Sequence, residues 1–467
     1  MHSRSFRLSA AVIVAVVTAS GNAFAVPHAA DAPPDAPVPG VTGSPRADFD
    51  GDGHPDVAVG APGGTVGGRA GAGYVAVVYG MAEGPDGVRH QLVSQNRYGI
   101  PGTAETGDRF GAHLTAADLD ADGFTDLVVS SPGEDVGAAR DVGRYTVLWG
   151  GVGGLATAAA VVRGTSPTRA GDFDGDGHLD LVTARHVLYG PFDRTGGAAR
   201  TGPLPAPDAR VYAMDAGDVD GDGITDLVVS SGPSAPDGGG TVPPPRLRLW
   251  RGTEGGLVAG PSIAAPDTVS ADGVALGDID GDGRQDVVFA RSTASRGGLV
   301  GVVRGTPDGP APRAALFGQD SPGVPGTGES GDRFGSDVSV GDVDRDGHAD
   351  VVAGVPGEDL AGRKDAGLFV VLKGSGDGLT GTGARGFGQN TAGVPGTAEN
   401  GDRFGGGTAV VGAHVVVSAP EENGGSGSVW VFPATASGVT ADGSVSFGPG
   451  TLAAPTAGAR LGSALHR

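Results

Sequence analysis

Cysteine is absent from the 467-residue chain, so no disulfide can hold it together. Lysine is almost absent as well, with Lys364 and Lys373 standing beside 30 arginines. Only three tryptophans occur, and no aromatic cluster for stacking sugars stands out. Positive charge is in the minority, and the net charge of −22 excludes the basic footprint that nucleic acid or an anionic membrane surface requires. Beyond the N-terminal leader no segment is apolar enough to span a bilayer, and none shows helical periodicity.

The leader itself reads as an export signal. His2, Arg4 and Arg7 form a basic start, Ala10 to Ala19 an apolar run, and Ala23-Phe24-Ala25 a small-x-small cleavage site. Residues 1–25 are therefore expected to be a signal peptide, and the mature protein to be secreted and soluble. Residues 26–45 are rich in Pro and Ala and read as a linker. From residue 46 to 467 the 90 glycines and 34 prolines of the chain mostly punctuate short Val-rich runs, as in an all-β protein with many turns.

One pattern recurs six times, with aspartate at positions 1, 3, 5 and 9 and glycine at position 6. The aspartates are Asp48, Asp50, Asp52 and Asp56; Asp118, Asp120, Asp122 and Asp126; Asp172, Asp174, Asp176 and Asp180; Asp218, Asp220, Asp222 and Asp226; Asp278, Asp280, Asp282 and Asp286; and Asp342, Asp344, Asp346 and Asp350. The intervals between first aspartates are 70, 54, 46, 60 and 64 residues, the spacing of blades or a solenoid. Each loop is followed by an apolar run such as Val57 to Val59 or Val351 to Ala353. A Gly-rich turn and a second run follow, such as Tyr74 to Tyr79 or Leu368 to Leu372. A seventh unit, with Phe404-Gly405, His414 to Ser418 and Val429 to Phe432, has only a tight link between Val410 and His414 where the loop should be. The fold class expected is all-β, a seven-bladed β-propeller with calcium-binding β-hairpin loops.

Four carboxylates around one point repel without a cation. Six solvated acidic turns would be the plain alternative, but six copies at one spacing argue against it. A hard ion with flexible oxygen coordination, calcium rather than magnesium, suits such a loop. An EF-hand is excluded, because position 12 holds Val59, Val129, Thr183, Val229, Phe289 and Ala353 instead of a glutamate. The residue at position 7 varies freely, as expected if only its carbonyl binds. About six Ca2+ ions would bring the charge from −22 to about −10 and serve as staples in a chain without disulfides.

Gly107-Asp-Arg-Phe-Gly111, Gly331-Asp-Arg-Phe-Gly335 and Gly401-Asp-Arg-Phe-Gly405 add a second signature. After the loops come Gly60-Ala-Pro62, Ser131-Pro-Gly-Glu-Asp135, Val355-Pro-Gly-Glu-Asp359 and Ala419-Pro-Glu-Glu422. Together these resemble the FG-GAP repeat of the integrin α-subunit head. The resemblance implies a seven-bladed propeller with a calcium loop between the first two strands of a blade and the ligand on the opposite face. Blades 3, 4 and 5 depart from it by lacking both signatures. Ala459-Arg-Leu-Gly-Ser-Ala-Leu465 looks like Asp332-Arg-Phe-Gly-Ser-Asp-Val338, so the C-terminal strand is expected to complete blade 1.

The function expected is recognition or adhesion without catalysis, by a monomer that binds an extracellular protein or glycan. The acidic turns Glu134-Asp135, Glu358-Asp359 and Glu421-Glu422 are candidate contacts. The alternative is an extracellular hydrolase, of lipase, phosphodiesterase or glycan-active type, using the propeller as scaffold. His90, His113, His186 and His414 lie in strands or turns without a nucleophile elbow or a zinc-protease helix, so no catalytic residue is assigned.

Overall fold

In the computed structural model, residues 47–466 are described, apart from 83, 98, 205–208, 234–245, 264–272 and 294–295. The expected signal peptide and linker lie outside the described residues. Seven antiparallel sheets make up the described chain. In blade 2, Leu114–Ala117, Asp126–Ser131, Arg144–Trp149 and Thr157–Ala160 run side by side in chain order, and blades 3 to 6 repeat that order. Blade 7 pairs Gly407–Val411, His414–Ala419 and Ser428–Thr435, and Ser428–Thr435 pairs in turn with both Gly438–Val439 and Val445–Phe447. The one helical turn among the described residues, Glu422–Gly425, holds Asn423 and Gly424 at φ 54° and 68°, so it does not propagate.

Burial explains why these strands read as continuous apolar runs without alternation. Val57–Ala61 and Tyr74–Val78 are buried at every position, because each sheet packs a neighbour on both faces. Outer strands such as Thr157–Ala160 and Val258–Ser262 are largely exposed. Each junction between blades has its own apolar cluster, including that between blades 7 and 1, where Val411, Val416 and Val431 meet Val57, Val59 and Val78. Phe110, Phe334 and Phe404 are fully buried in three of these junctions.

Close packing accounts for the paired glycine signatures. A Cβ on Gly60 would lie 2.1 Å from the carbonyl oxygen of Gly111, and one on Gly354 would lie 2.0 Å from that of Gly405. The glycine of Phe-Gly in one blade thus rests on a glycine after the acidic loop of the blade before it.

The C-terminal strand Ala464–Leu465 pairs with Val57–Ala61, with Leu465 opposite Val59. Ala58 donates its N–H to Nδ1 of His466 at 3.0 Å, across 408 residues of chain. Leu461 takes the place of the buried phenylalanine, and its own N–H bonds the carbonyl of Ser426. Burial pushes the His466 imidazole down to about 4, so it accepts this bond as the neutral ring. Deleting Ala459 to Arg467 removes Leu461 and Leu465 from the core, at about 2–5 kcal/mol for each lost side chain, and opens a strand edge. The truncated protein is expected to melt well below the full chain; an unchanged midpoint in a calorimetric scan would refute the closure.

Candidate metal centres

Each acidic loop precedes the second strand of its blade. Antiparallel strands alternate in direction, so all six loops emerge at the same end of their sheets. Position 1 shapes the turn: its Oδ2 accepts the N–H of the position-6 glycine at 2.8–3.0 Å in all six loops. That glycine has φ of 84–91° throughout, as the expected sharp turn requires. Position 5 accepts the N–H of position 7 at 2.9–3.0 Å.

Position 9 ties the loop to the sheet. Asp56, Asp126, Asp180, Asp226, Asp286 and Asp350 are essentially fully buried. In each, Oδ1 accepts the N–H of a glycine at 2.7–2.9 Å, the one that follows the third strand or, in blade 3, Gly190 within it. In the first five, Oδ2 accepts the N–H of position 2. Burial is the main cause that pushes these five carboxyls up to about 7, and repulsion from positions 1 and 3 adds to it. Asp350 rises to about 6, because Lys373 opposes the effect of burial.

The carboxylates converge. In the first, third and fourth loops, oxygens of positions 1, 3 and 9 lie within 4.8 Å of one another; in the second and fifth, those of positions 1, 3 and 5 do. The position-3 carboxylate is the one left incomplete. Oδ1 of Asp120, Asp174, Asp280 and Asp344 is buried without a hydrogen-bond partner, a costly state for an anionic oxygen. A donor set of carboxylates, one of them with an oxygen buried and unpartnered, fits a hard divalent cation.

Two features were missed in the sequence. First, the carboxylates are not uncompensated, because each loop has a basic partner. Arg89 pairs with Asp50 and Asp52, and Arg194 with Asp120 and Asp122. Arg200 pairs with Asp174, Arg251 with Asp220, Arg304 with Asp280, and Lys373 with Asp344 and Asp350. These partners come from other strands or turns, where motif spacing gives no signal. Second, position 7 is more than a carbonyl. Phe124, Ile224, Arg284 and His348 each lie over the position-4 glycine of the preceding blade's loop: Gly51, Gly175, Gly221 and Gly281. The N–H of position 8 also bonds the position-1 carbonyl of that loop, from Thr125 to Asp48, Thr225 to Asp172, Gln285 to Asp218 and Ala349 to Asp278.

At the other end of the sheets, the acidic turns are partly structural. Glu134 is buried and paired with Gln95 and Arg144; Glu358 bonds Gln319 and Glu422 bonds Gln389. Each glutamine comes from the preceding blade, so these glutamates clasp two blades together. Asp135 and Asp359 stay more accessible. Of the histidines, His90 places its ring nitrogens against the carbonyls of Gly87 and Leu452, and burial holds His113 down to about 4.

Removal of divalent ions has a definite pH consequence. In the unfolded chain the six position-9 carboxyls titrate near their ordinary 3.8, whereas in the fold they hold their protons up to about pH 6–7. The metal-free fold is thus favoured at low pH and loses stability as pH rises through that window. Metal-free protein is expected to melt at a higher temperature at pH 5 than at pH 8, and equal midpoints would contradict the burial of these groups.

Comparison with known proteins agrees with the geometry. The FG-GAP repeat family matches residues 40–78, 110–148 and 334–372, and the FG-GAP-like repeat family matches 218–289. These spans cover every acidic loop except that of blade 3. The chain is similar to phosphatidylinositol-glycan-specific phospholipase D of Rattus norvegicus, at 32% identity over 163 residues, which is 33% of this chain and 19% of that protein. The Mus musculus enzyme is 34% identical over 145 residues, 29% of this chain and 17% of its own length. The chain therefore spans less than a fifth of these relatives. Among solved structures, the V. cholerae biofilm matrix protein Bap1 aligns over 59% of this chain and 40% of its own, with 16% identity and a TM-score of 0.29. Repeat signatures and seven successive sheets together make this chain an FG-GAP repeat protein, a seven-bladed β-propeller of the integrin α-like kind.

Proposed function

We propose that the protein is a secreted, calcium-loaded recognition module without catalytic activity. The observation that carries the calcium reading is the buried, unpartnered Oδ1 of the position-3 aspartates Asp120, Asp174 and Asp280, each of which belongs to a convergent group of carboxylates. Positions 1, 3, 5 and 9 would hold the ion, with the position-7 carbonyl. An ion there would supply the positive charge that the position-9 carboxylate needs to stay ionised when buried. A site that exists only in the fold makes binding energy into folding energy, about 2.7 kcal/mol per site when the ion is present at ~100 times its Kd. The leader read in the sequence supports export into a calcium-rich setting.

The end of the sheets opposite the loops is the face proposed to bind a protein or glycan. There the turns carry Asp135, Asp359 and the exposed arginines Arg109, Arg333 and Arg403. Those three arginines hold φ of 56–62°, which side chains avoid unless the surroundings impose it. Among the described residues no helix is long and apolar enough to cross a membrane. The likeness to a phospholipase D covers too little of that enzyme to transfer its activity.

Equilibrium dialysis is expected to find about six calcium ions per chain, with Asp280→Asn removing one, and EDTA is expected to lower the melting temperature. A chain that takes up no calcium would end this reading. On arrays of glycans and matrix proteins, binding that vanishes with chelator is the expected result, whereas turnover of ester or glycoside panels would favour a hydrolase.

A further inference from the structure

The basic partners of the six loops follow a rule that the repeat signature does not contain. In blades 4, 5 and 6 the base directly precedes the glycine after the third strand: Arg251 before Gly252, Arg304 before Gly305, Lys373 before Gly374. In blades 1, 2 and 3 that place holds an aromatic residue, Tyr79, Trp149 or Tyr189, and the base arrives from elsewhere. Arg89 lies 5.5 Å from the centre of the Tyr79 ring, and Arg200 lies 3.4 Å from that of Tyr189. Arg194 belongs to a turn of blade 3 and reaches back to the loop of blade 2, while its carbonyl accepts the N–H of Trp149 at 3.1 Å. Three chain routes thus deliver one positive charge to one spot, and in every loop it meets Oδ2 of position 3. Blade 7 serves as an internal control. It has no acidic loop; His414 stands at the register position of Asp350, and its cross-strand partner Pro433 stands where Lys373 would be.

We propose that these six side chains are resident counter-cations. Each holds its loop's carboxylates together without a metal ion, and each weakens the ion's binding, since the ion must settle beside a fixed positive charge. Backbone N–H groups already shape positions 1, 5 and 9 in all six loops, so the base is not needed to form the turn. What it adds is charge. Of position 3 it takes only Oδ2, which leaves Oδ1 free for the ion in four loops; in the first and fourth, Oδ1 accepts a long 3.3 Å bond from the position-5 N–H. The second half of this proposal rests on the calcium reading, and the first half does not.

The test uses Lys373→Gln, with Lys373→Arg as the charge-keeping variant and the exposed Lys364→Gln as control. Arg304→Gln repeats it at a more exposed base. In metal-free buffer, Lys373→Gln and Arg304→Gln are expected to melt below the parent, while Lys373→Arg and Lys364→Gln match it. In calorimetric titration with calcium chloride, each Gln variant is expected to gain one site that binds on the order of tenfold tighter. Unchanged metal-free melting would overturn the first half. Unchanged or weaker calcium binding in the Gln variants would overturn the second, the weaker case making the base an orienting group. Should the parent bind no calcium, the calcium reading fails by itself, and metal-free melting still decides whether the bases hold the loops.

Discussion

Carboxylates brought to a common point repel, and this protein builds that repulsion into the approach to the second strand of six blades. The repulsion is tolerable only because every carboxylate is answered locally. Position 1 and position 5 are met by backbone N–H groups of their own turn, position 9 by a glycine in or after the third strand, and position 3 by a base from another strand or turn. The loop is thereby welded to its sheet. Burial of position 9 is what couples the charge problem to the apolar core, since that side chain sits where the blades stack.

Stacking explains the remainder. Most second and third strands bury both faces and are largely apolar, with Arg246–Arg251 of blade 4 the alternating exception, and the junctions between blades become the core. Position 7 and position 8 of one loop reach the loop before it, so the acidic turns touch one another as well as their own sheets. Where position 4 is not glycine, it is Ala121 in blade 2 and Arg345 in blade 6, and both hold positive φ, of 56° and 60°.

Much of this was legible because it is local. The aspartate spacing, the glycine turns and the Val-rich runs each lie within a dozen residues and obey the chemistry of one turn or one strand. The likeness of Arg460-Leu461-Gly462 to Arg333-Phe334-Gly335 carried the closing strand, because Leu461 fills the same buried space as the phenylalanine. The bases could not be read in this way. Arg194 lies 74 residues from Asp120, in a different blade, and only the folded register brings them together. Position 7 misled for a related reason: Phe124, Ile224, Arg284 and His348 share no chemistry, yet each covers a bare glycine with atoms beyond its Cβ, a role that asks for reach and not for one functional group. Glu134, Glu358 and Glu422 read as candidate ligand contacts in the sequence, because their glutamine partners lie 33 to 39 residues away in the neighbouring blade.

The pairing of Ala464–Leu465 with Val57–Ala61 also dictates an order of events during synthesis. Blade 1 begins to emerge first, yet it lacks its innermost strand until some 400 further residues have followed. Throughout that interval Val59 and Gly60 offer an unpaired edge to any passing strand. A nascent chain that crosses a membrane unfolded and folds on the far side would escape that exposure, whereas one that folded as it left the ribosome would carry an open sheet for most of its translation.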